Sequence, residues 1–310
     1  MKLLIVDATN NFVRNYAVVP TLTTNGEPNG GVVGFLRSLG FFCRITSPDK
    51  IILVWDGPGG SKKRKAILKD YKEGRKPLRL NRNFEFELVD VEKNKVDQRI
   101  RLGLYLKDLP VYQLSIPDVE ADDVVGYLVK MFYEDEKVIV SNDKDFYQLV
   151  SDKVSVFSPT KKMFMTDKVI YETFGIHPNN FALARALVGD ESDNIKGIKG
   201  IGFKTLIKKF PFMSGVEKVT LDQLFKYCEE NGEKFKRFLD DKQVIIDNHQ
   251  VMQLENPIIG IGSIHKIEES LQKEIVFNAT SFRMKLYEDG VTTFTDSFFQ
   301  PFRCIIAKKG

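Results

Sequence analysis

The chain has 310 residues, 43 % of them apolar and 28 % charged, with a net charge of +4, the balance of an ordinary globular protein, which excludes a disordered or collagen-like one. No run approaches the ~20 consecutive apolar residues of a membrane span, so no membrane partner is expected. Cys43, Cys228 and Cys304 are scattered and form no CxxC pair, which argues against a disulfide framework or a zinc site and for a reducing cytoplasm.

The opening "MKLLIVDATN" carries one Lys and a short apolar stretch ending in Asp7; it is too short for a secretory signal and reads as a first buried strand over 2–7. "GGVVGFLRSLGFFCRI" (30–45) has helical spacing, and 50–55 is a second strand ending at Asp56. Residues 61–82 hold ten basic side chains against Asp70 and Glu73, a net +8 that leaves −4 for the rest of the chain. Such asymmetry points to a polyanionic partner. Few large apolar residues and the breaks at Gly74 and Pro77 make this segment a partly helical excursion rather than core. Helical periodicity returns over 91–107, with Val96, Ile100 and Leu104 on one stripe. A strand at 111–114 follows, then a helix that Asp118 could cap and that runs to about Glu134. Strands at 137–141 and 153–158 complete an alternation of strand and helix over 1–158, which predicts a mostly parallel α/β sheet flanked by helices. Short helices are expected at 166–174, 178–188, 203–210, 221–230 and 233–247. The expected division is a core over 1–165, with the excursion at about 61–107, a helical region over 166–250, and a segment 251–310 whose pattern mixes helix and strand.

Ten carboxylates stand where such a scaffold could gather them: Asp7, Asp56, Glu120, Asp122 and Asp123 in "EADD", Asp143 and Asp145 in "NDKD", and Asp190, Glu191 and Asp193 in "GDESD". In open α/β sheets the carboxyl ends of strands line the ligand crevice. At a helix start, Glu120 and Asp123 lie one turn apart on the same face, and Asp190 and Asp193 are spaced i, i+3. Two unit charges about 4 Å apart repel by roughly 4 kcal/mol at an effective dielectric near 20. Divalent cations remove that cost, and all-oxygen ligands select Mg²⁺ or Mn²⁺ over zinc. Two such ions can clamp the attacking and leaving oxygens of a phosphodiester. Any single Asp at a strand end is as often a cap or a turn residue; it is the recurrence over five groups that speaks for metal.

"GIKGIGFKT" (197–205) places Gly197, Gly200 and Gly202 in a turn before a helix beginning near Phe203, with Lys204 and Thr205 in its first turn. Glycines allow close approach to a phosphate, and a helix N-terminus offers free N–H groups to it. The spacing is not that of a dinucleotide fingerprint; it suits a helix–hairpin–helix contact to a DNA backbone. In "DYKEGRKPLR" (70–79), Tyr71 stands beside Lys72 and Arg75, which would be one turn apart in a helix. An aromatic beside two cations suits stacking on an unpaired base while steering its phosphate; a flexible charged surface loop is the lesser alternative.

The order Asp7, Asp56, "YKEGR", "EADD", "SNDKD", "GDESDN" and "GIKGIG" resembles the flap endonuclease or 5′-nuclease superfamily over roughly residues 1–250, its stand-alone phage exonucleases and ribonucleases H above all. The resemblance implies a PIN-like nuclease core with a helical arch over about 61–107 that admits a single-stranded 5′ end. It implies that Asp7, Asp56, Glu120, Asp122 and Asp123 hold or orient one catalytic ion, that Asp143, Asp145, Asp190 and Asp193 build the position of a second, and that Lys72 and Arg75 contact the scissile phosphate. Gly197, Gly200 and Gly202 would grip the duplex, with K⁺ at their carbonyls. Glu191 matches no ligand position and is expected to face solvent. Beyond residue 250 no shared motif is found; "FTDSFFQPF" loosely resembles a sliding-clamp peptide, but Thr295 stands where an aliphatic anchor belongs, so buried core is the better reading.

The expected function is that of a metal-dependent 5′–3′ exonuclease and flap endonuclease. It would act as a monomer in the cytoplasm on flaps, nicked or gapped DNA duplexes and RNA–DNA hybrids during DNA replication, with a single-strand-binding protein or a sliding clamp as admissible partners. The alternatives are a PIN-type endoribonuclease, against which the basic excursion and "GIKGIG" argue, and a junction-binding protein that does not cut.

Overall fold

In the computed structural model, which describes residues 1–74 and 90–307, the apolar run Lys2–Asp7 forms β1. Its last carboxylate caps the next helix, α1 (Ala8–Val18), by accepting the N–H of Asn10. The largely apolar α2 (Gly30–Thr46) leads into β2 (Lys50–Trp55), which is buried over its last five residues. Then come α3 (Lys62–Ile67), α4 (Val91–Leu106), β3 (Tyr112–Ser115), α5 (Ala121–Met131), β4 (Glu136–Val140), β5 (Val154–Ser158) and β6 (Met163–Met165). The rest is helical apart from one small hairpin: α6 (Asp167–Phe174), α7 (Phe181–Val188), β7 (Gly189–Asp190), β8 (Ile195–Lys196), α8 (Phe203–Lys209), α9 (Leu221–Glu230), α10 (Lys236–Asp240), α11 (Lys242–Met252), α12 (Ile261–Gln272), α13 (Ala279–Glu288) and α14 (Asp296–Ala307). This is the mostly parallel, helix-flanked α/β fold that the alternation predicted.

Two compact units divide the chain: Met1–Trp55, Pro77–Ser115 and Ile264–Gly310 in one, Asp56–Lys76 and Ile116–Ser263 in the other. In the first, β1, β2 and β3 pair in parallel, with Ile5 beside Ile52 and Ile52 beside Tyr112. The stripe expected on α4 is corrected. Val96 and Ile100 are 52 % and 57 % exposed, while Gln98, Leu102, Tyr105 and Leu106 face inward. Gln98 is the reason: its side chain accepts the N–H of Gly31 at 2.8 Å and donates to the Pro28 carbonyl at 2.7 Å, so a polar residue sets the buried face. The regular elements described after residue 252 are helices joined by loops. Phe282, Phe298, Phe299 and Phe302 are buried on one another, which makes "FTDSFFQPF" core, as expected.

In the second unit β4 and β5 are parallel, and β6, an element the sequence pattern did not reveal, adds antiparallel to β5. α5 is shorter than predicted and is not capped by Asp118. That residue has φ +58° and pairs with Lys62 at 2.8 Å, and Glu120 holds the cap position. The single helix expected over 233–247 is broken into a 3₁₀ turn (Gly232–Phe235), α10 and α11. The basic excursion is partly helical, as expected, through α3, but Arg64 and Tyr71 are buried. Tyr71 packs into a core cluster with Ile195, Val251 and Met252, with Ile67 and Leu68 against it. Arg75 and the rest of the expected arch between residues 75 and 89 lie outside the described residues.

Candidate active site

Asp56 follows the last residue of β2, and its carboxylate accepts the N–H of Ala121 at 3.0 Å, which ties it to the head of α5. That helix start carries Glu120, Asp122 and Asp123. Glu120 is buried, and its oxygens are taken by three donors: Arg64 at 2.6 Å, the Tyr71 hydroxyl at 2.9 Å and the Lys72 ammonium at 2.9 Å. Asp123, one turn on, meets the same guanidinium at 2.8 Å and accepts the N–H of Ile258, also at 2.8 Å. Arg64 completes its bonding on the Val251 carbonyl at 2.8 Å, and its side chain is 3 % exposed. Its charge is fixed: burial opposes it, but Asp123 and Glu120 hold its proton more tightly than usual. Burial pushes the carboxyl of Asp123 above the usual range, with Arg64 opposing.

The second acid group is built on the turn after β4 and on the β7–β8 hairpin. Asp143 heads the 3₁₀ turn Lys144–Leu149 and accepts the N–H of Asp145 at 2.8 Å. Arg185, on the otherwise apolar α7, reaches Asp145 at 2.8 Å and also hydrogen-bonds Asp190. Burial opposes ionisation of Asp190, but its bonds from Ser192 and the Arg185 charge outweigh it and hold the carboxyl below its ordinary range. The Asp143 carboxyl is instead pushed up to about 7, by burial first and then by the Asp145 charge. Asp193 is shared. Its carbonyl accepts the Lys72 N–H at 2.8 Å, and its carboxylate acts electrostatically on Lys72, Asp143 and Asp145.

The second unit therefore brings together Asp56, Glu120, Asp122, Asp123, Asp143, Asp145, Asp190, Asp193 and Lys72. Asp7 belongs to the first unit, where it caps α1. Glu191 is exposed. Two expectations for the basic motif are corrected. Lys72 sits in a turn with φ +58°, not in a helix. Tyr71 is 3 % exposed with its hydroxyl on Glu120, so its ring has no free face for a base. Arg64 and Arg185 were missed. Arg64 is hidden among the four cations of "KKRK"; Arg185 had a signal, since a lone Arg in "FALARALV" must find an acid if that face is buried.

The glycine turn adjoins the second acid group. Gly189 and Asp190 pair with Lys196 and Ile195, and a cleft of about 770 Å³ is lined by Asp190, Arg185, Gly197, Lys199 and Gly200. A Cβ on Gly197 would fall 2.1 Å from the Val188 carbonyl oxygen, Gly200 has φ +82°, and Gly202 caps α8, where Lys204 and Thr205 lie in the first turn. Arg237 holds the turn by donating to the Lys199 carbonyl at 2.8 Å.

Chemically the donors suit a hard divalent cation. They are all oxygen, the ligand type that hard divalent cations take. Among the described residues no three Asp, Glu, His or Cys side chains already converge as a metal cage; Arg64, Lys72 and Arg185 hold the carboxylates instead.

A family model described as the 5′–3′ exonuclease N-terminal resolvase-like domain matches residues 2–175. The 5′–3′ exonuclease of Buchnera aphidicola subsp. Schizaphis graminum is 35 % identical over 218 residues, covering 67 % of this chain and 70 % of its own. That of Aquifex aeolicus is 33 % identical over 238 residues, 76 % and 74 % of the two chains. The thermostable DNA polymerase I of Thermus aquaticus is 34 % identical over 249 residues, 79 % of this chain but 28 % of the polymerase. Among solved structures, the T5 D15 protein co-crystallised with metal ions aligns with a TM-score of 0.68 at 22 % identity, over 88 % of this chain and 99 % of that one, a likeness of fold. The resemblance read from the motifs is thereby borne out: the chain belongs to the 5′–3′ exonuclease family of nucleases.

Proposed function

We propose that this nuclease is a metal-dependent, structure-specific enzyme that hydrolyses phosphodiesters at the 5′ side of flaps, nicks and gaps in DNA and in RNA–DNA hybrids. The observation that carries the reading is the Lys72 ammonium seated on Glu120 Oε1 at 2.9 Å, in the unit that also carries Asp122 and Asp193, whose charges act on it. Glu120, Asp56 and Asp122 would hold one divalent ion, Mg²⁺ or Mn²⁺, and Asp143, Asp145, Asp190 and Asp193 a second. Bound there, the ions would supply an activated water and neutralise charge on the phosphate. Asp123, which shares Arg64 with Glu120, would orient the same ion. Lys72 and Arg75 would meet the scissile phosphate, and the product ends would be a 5′-phosphate and a 3′-hydroxyl. Gly197, Gly200, Gly202, Lys204 and Thr205 would bind the duplex backbone, reading phosphates and not sequence, with K⁺ at the turn carbonyls. A solved T5 D15 flap endonuclease complex contains DNA and metal ions, which supports carrying that substrate class to this chain. Removal of RNA primers and flaps during replication in the cytoplasm is the role this activity suits, alone or beside a single-strand-binding protein or a sliding clamp.

The test is cleavage of a 5′-labelled flap, a nicked duplex and free single-stranded RNA, with Mg²⁺ or with EDTA. Metal-dependent product from the first two supports the proposal. Product from free RNA alone would favour an endoribonuclease, and binding without product a junction-binding protein.

A further inference from the structure

The two cations on Glu120 are not held alike. Arg64 donates to Glu120, Asp123 and the Val251 carbonyl, and its side chain is 3 % exposed. Among the described residues Lys72 pairs with Glu120 Oε1 at 2.9 Å, and it is 19 % exposed with its ammonium 4.9 Å above the Tyr71 ring. Its backbone, by contrast, is pinned. The Lys72 N–H donates to the Asp193 carbonyl at 2.8 Å, and Asn194 donates to the Asp70 carbonyl at 2.8 Å, so the turn is stitched to the hairpin that carries the second acid group. A non-glycine residue at φ +58° is held there against an intrinsic cost. The turn is thus fixed, while the side chain projecting from it is held by fewer bonds than Arg64 and is more exposed.

The pinned turn sets one partly exposed monocation on Glu120 Oε1, within the field of Asp122 and Asp193. An ammonium and a divalent ion cannot share that spot without strong repulsion. Resting on the reading of the acid cluster as a divalent-ion site, we infer that Lys72 is a built-in competitor for that site. In the metal-free enzyme its ammonium stands where a divalent ion would bind; when the ion binds, Lys72 leaves Glu120 Oε1 and becomes available to the substrate phosphate. Arg64, anchored on three acceptors, stays. The enzyme would thereby offer its phosphate-directed cation only once metal is loaded, which couples metal and substrate binding thermodynamically.

Mn²⁺ binding measured by electron paramagnetic resonance, without DNA, tests this on the full chain, on Lys72→Met and on Lys65→Met, an exposed cation of the same segment. Lys72→Met should bind Mn²⁺ on the order of tenfold more tightly, and Lys65→Met should match the unaltered protein. Equal effects of the two variants, or no gain for Lys72→Met, would overturn the inference. Independently of any variant, acetylation of Lys72 by acetic anhydride, followed by mass spectrometry, should quicken several-fold when Mn²⁺ is added; an unchanged rate would also overturn it. If the unaltered protein binds no Mn²⁺, the divalent-ion reading itself fails, which separates the two failures.

Discussion

Arg64→Met is the most informative single change to the fold of the site. The guanidinium bridges Glu120 at 2.6 Å and Asp123 at 2.8 Å and caps the Val251 carbonyl at 2.8 Å. Methionine fills much of the volume but leaves two buried carboxylates without it. They are affected unequally: Glu120 keeps Lys72 and the Tyr71 hydroxyl, whereas Asp123 keeps only the Ile258 N–H among the bonds described here. Removing one partner of a buried ion pair costs about 3–5 kcal/mol; with half the cluster still neutralised the lower end applies, about 3 kcal/mol. Adding Asp123→Asn to Arg64→Met removes the stranded charge and should restore roughly half of that loss, a coupling that a double-mutant cycle isolates. Urea unfolding in EDTA, followed by circular dichroism, measures both. A loss under about 1 kcal/mol for Arg64→Met, or strict additivity with Asp123→Asn, would refute the claim that this arginine neutralises Asp123.

Three further outcomes follow from the geometry. Gly197→Ala puts a Cβ 2.1 Å from a backbone carbonyl oxygen, whereas a Cβ at Gly262 meets open space; duplex binding measured by fluorescence anisotropy should fall at least tenfold for the first and little for the second. Phe299 is fully buried against Phe277, Phe282 and Phe298, so Phe299→Ala should cost about 3–5 kcal/mol in thermal or urea unfolding. Burial, and then the Lys218 charge, lower the pKa of His249. A lowered folded pKa means that the unfolded chain protonates first, so this contribution is full above about pH 6.5 and is lost as pH falls from there towards the lower folded value. The urea midpoint should decline between pH 7.5 and 5.5, and His249→Gln should flatten that decline.

Strand and helix positions were largely legible because buried parallel strands are continuous apolar runs and their ends carry Asp7, Asp56 and Asp143. What was not legible depended on partners distant in sequence. Nothing local says that Gln98 turns inward; it does so to satisfy Gly31 and Pro28. The basic run misled for a similar reason. Charge counting treats Arg64 and Lys72 as surface groups, yet they are bound to the buried Glu120 and Asp123. β6 is three residues long, shorter than any alternation can reveal. The acidic motifs were readable one by one, but their meeting was fixed by Arg64, Arg185 and the Asp193–Lys72 bond, none of which has a spacing signature.

Anomalous diffraction from crystals of the protein soaked in Mn²⁺ bears most directly on the acid cluster as a divalent-ion site. Peaks at about 2.0–2.2 Å from carboxylate oxygens of Glu120, Asp122, Asp143 or Asp193, with the Lys72 ammonium moved off Glu120, are the result expected. Manganese bound only outside Asp56, Glu120, Asp122, Asp123, Asp143, Asp145, Asp190 and Asp193, or Glu120 still paired to Lys72 at full Mn²⁺ occupancy, would contradict it.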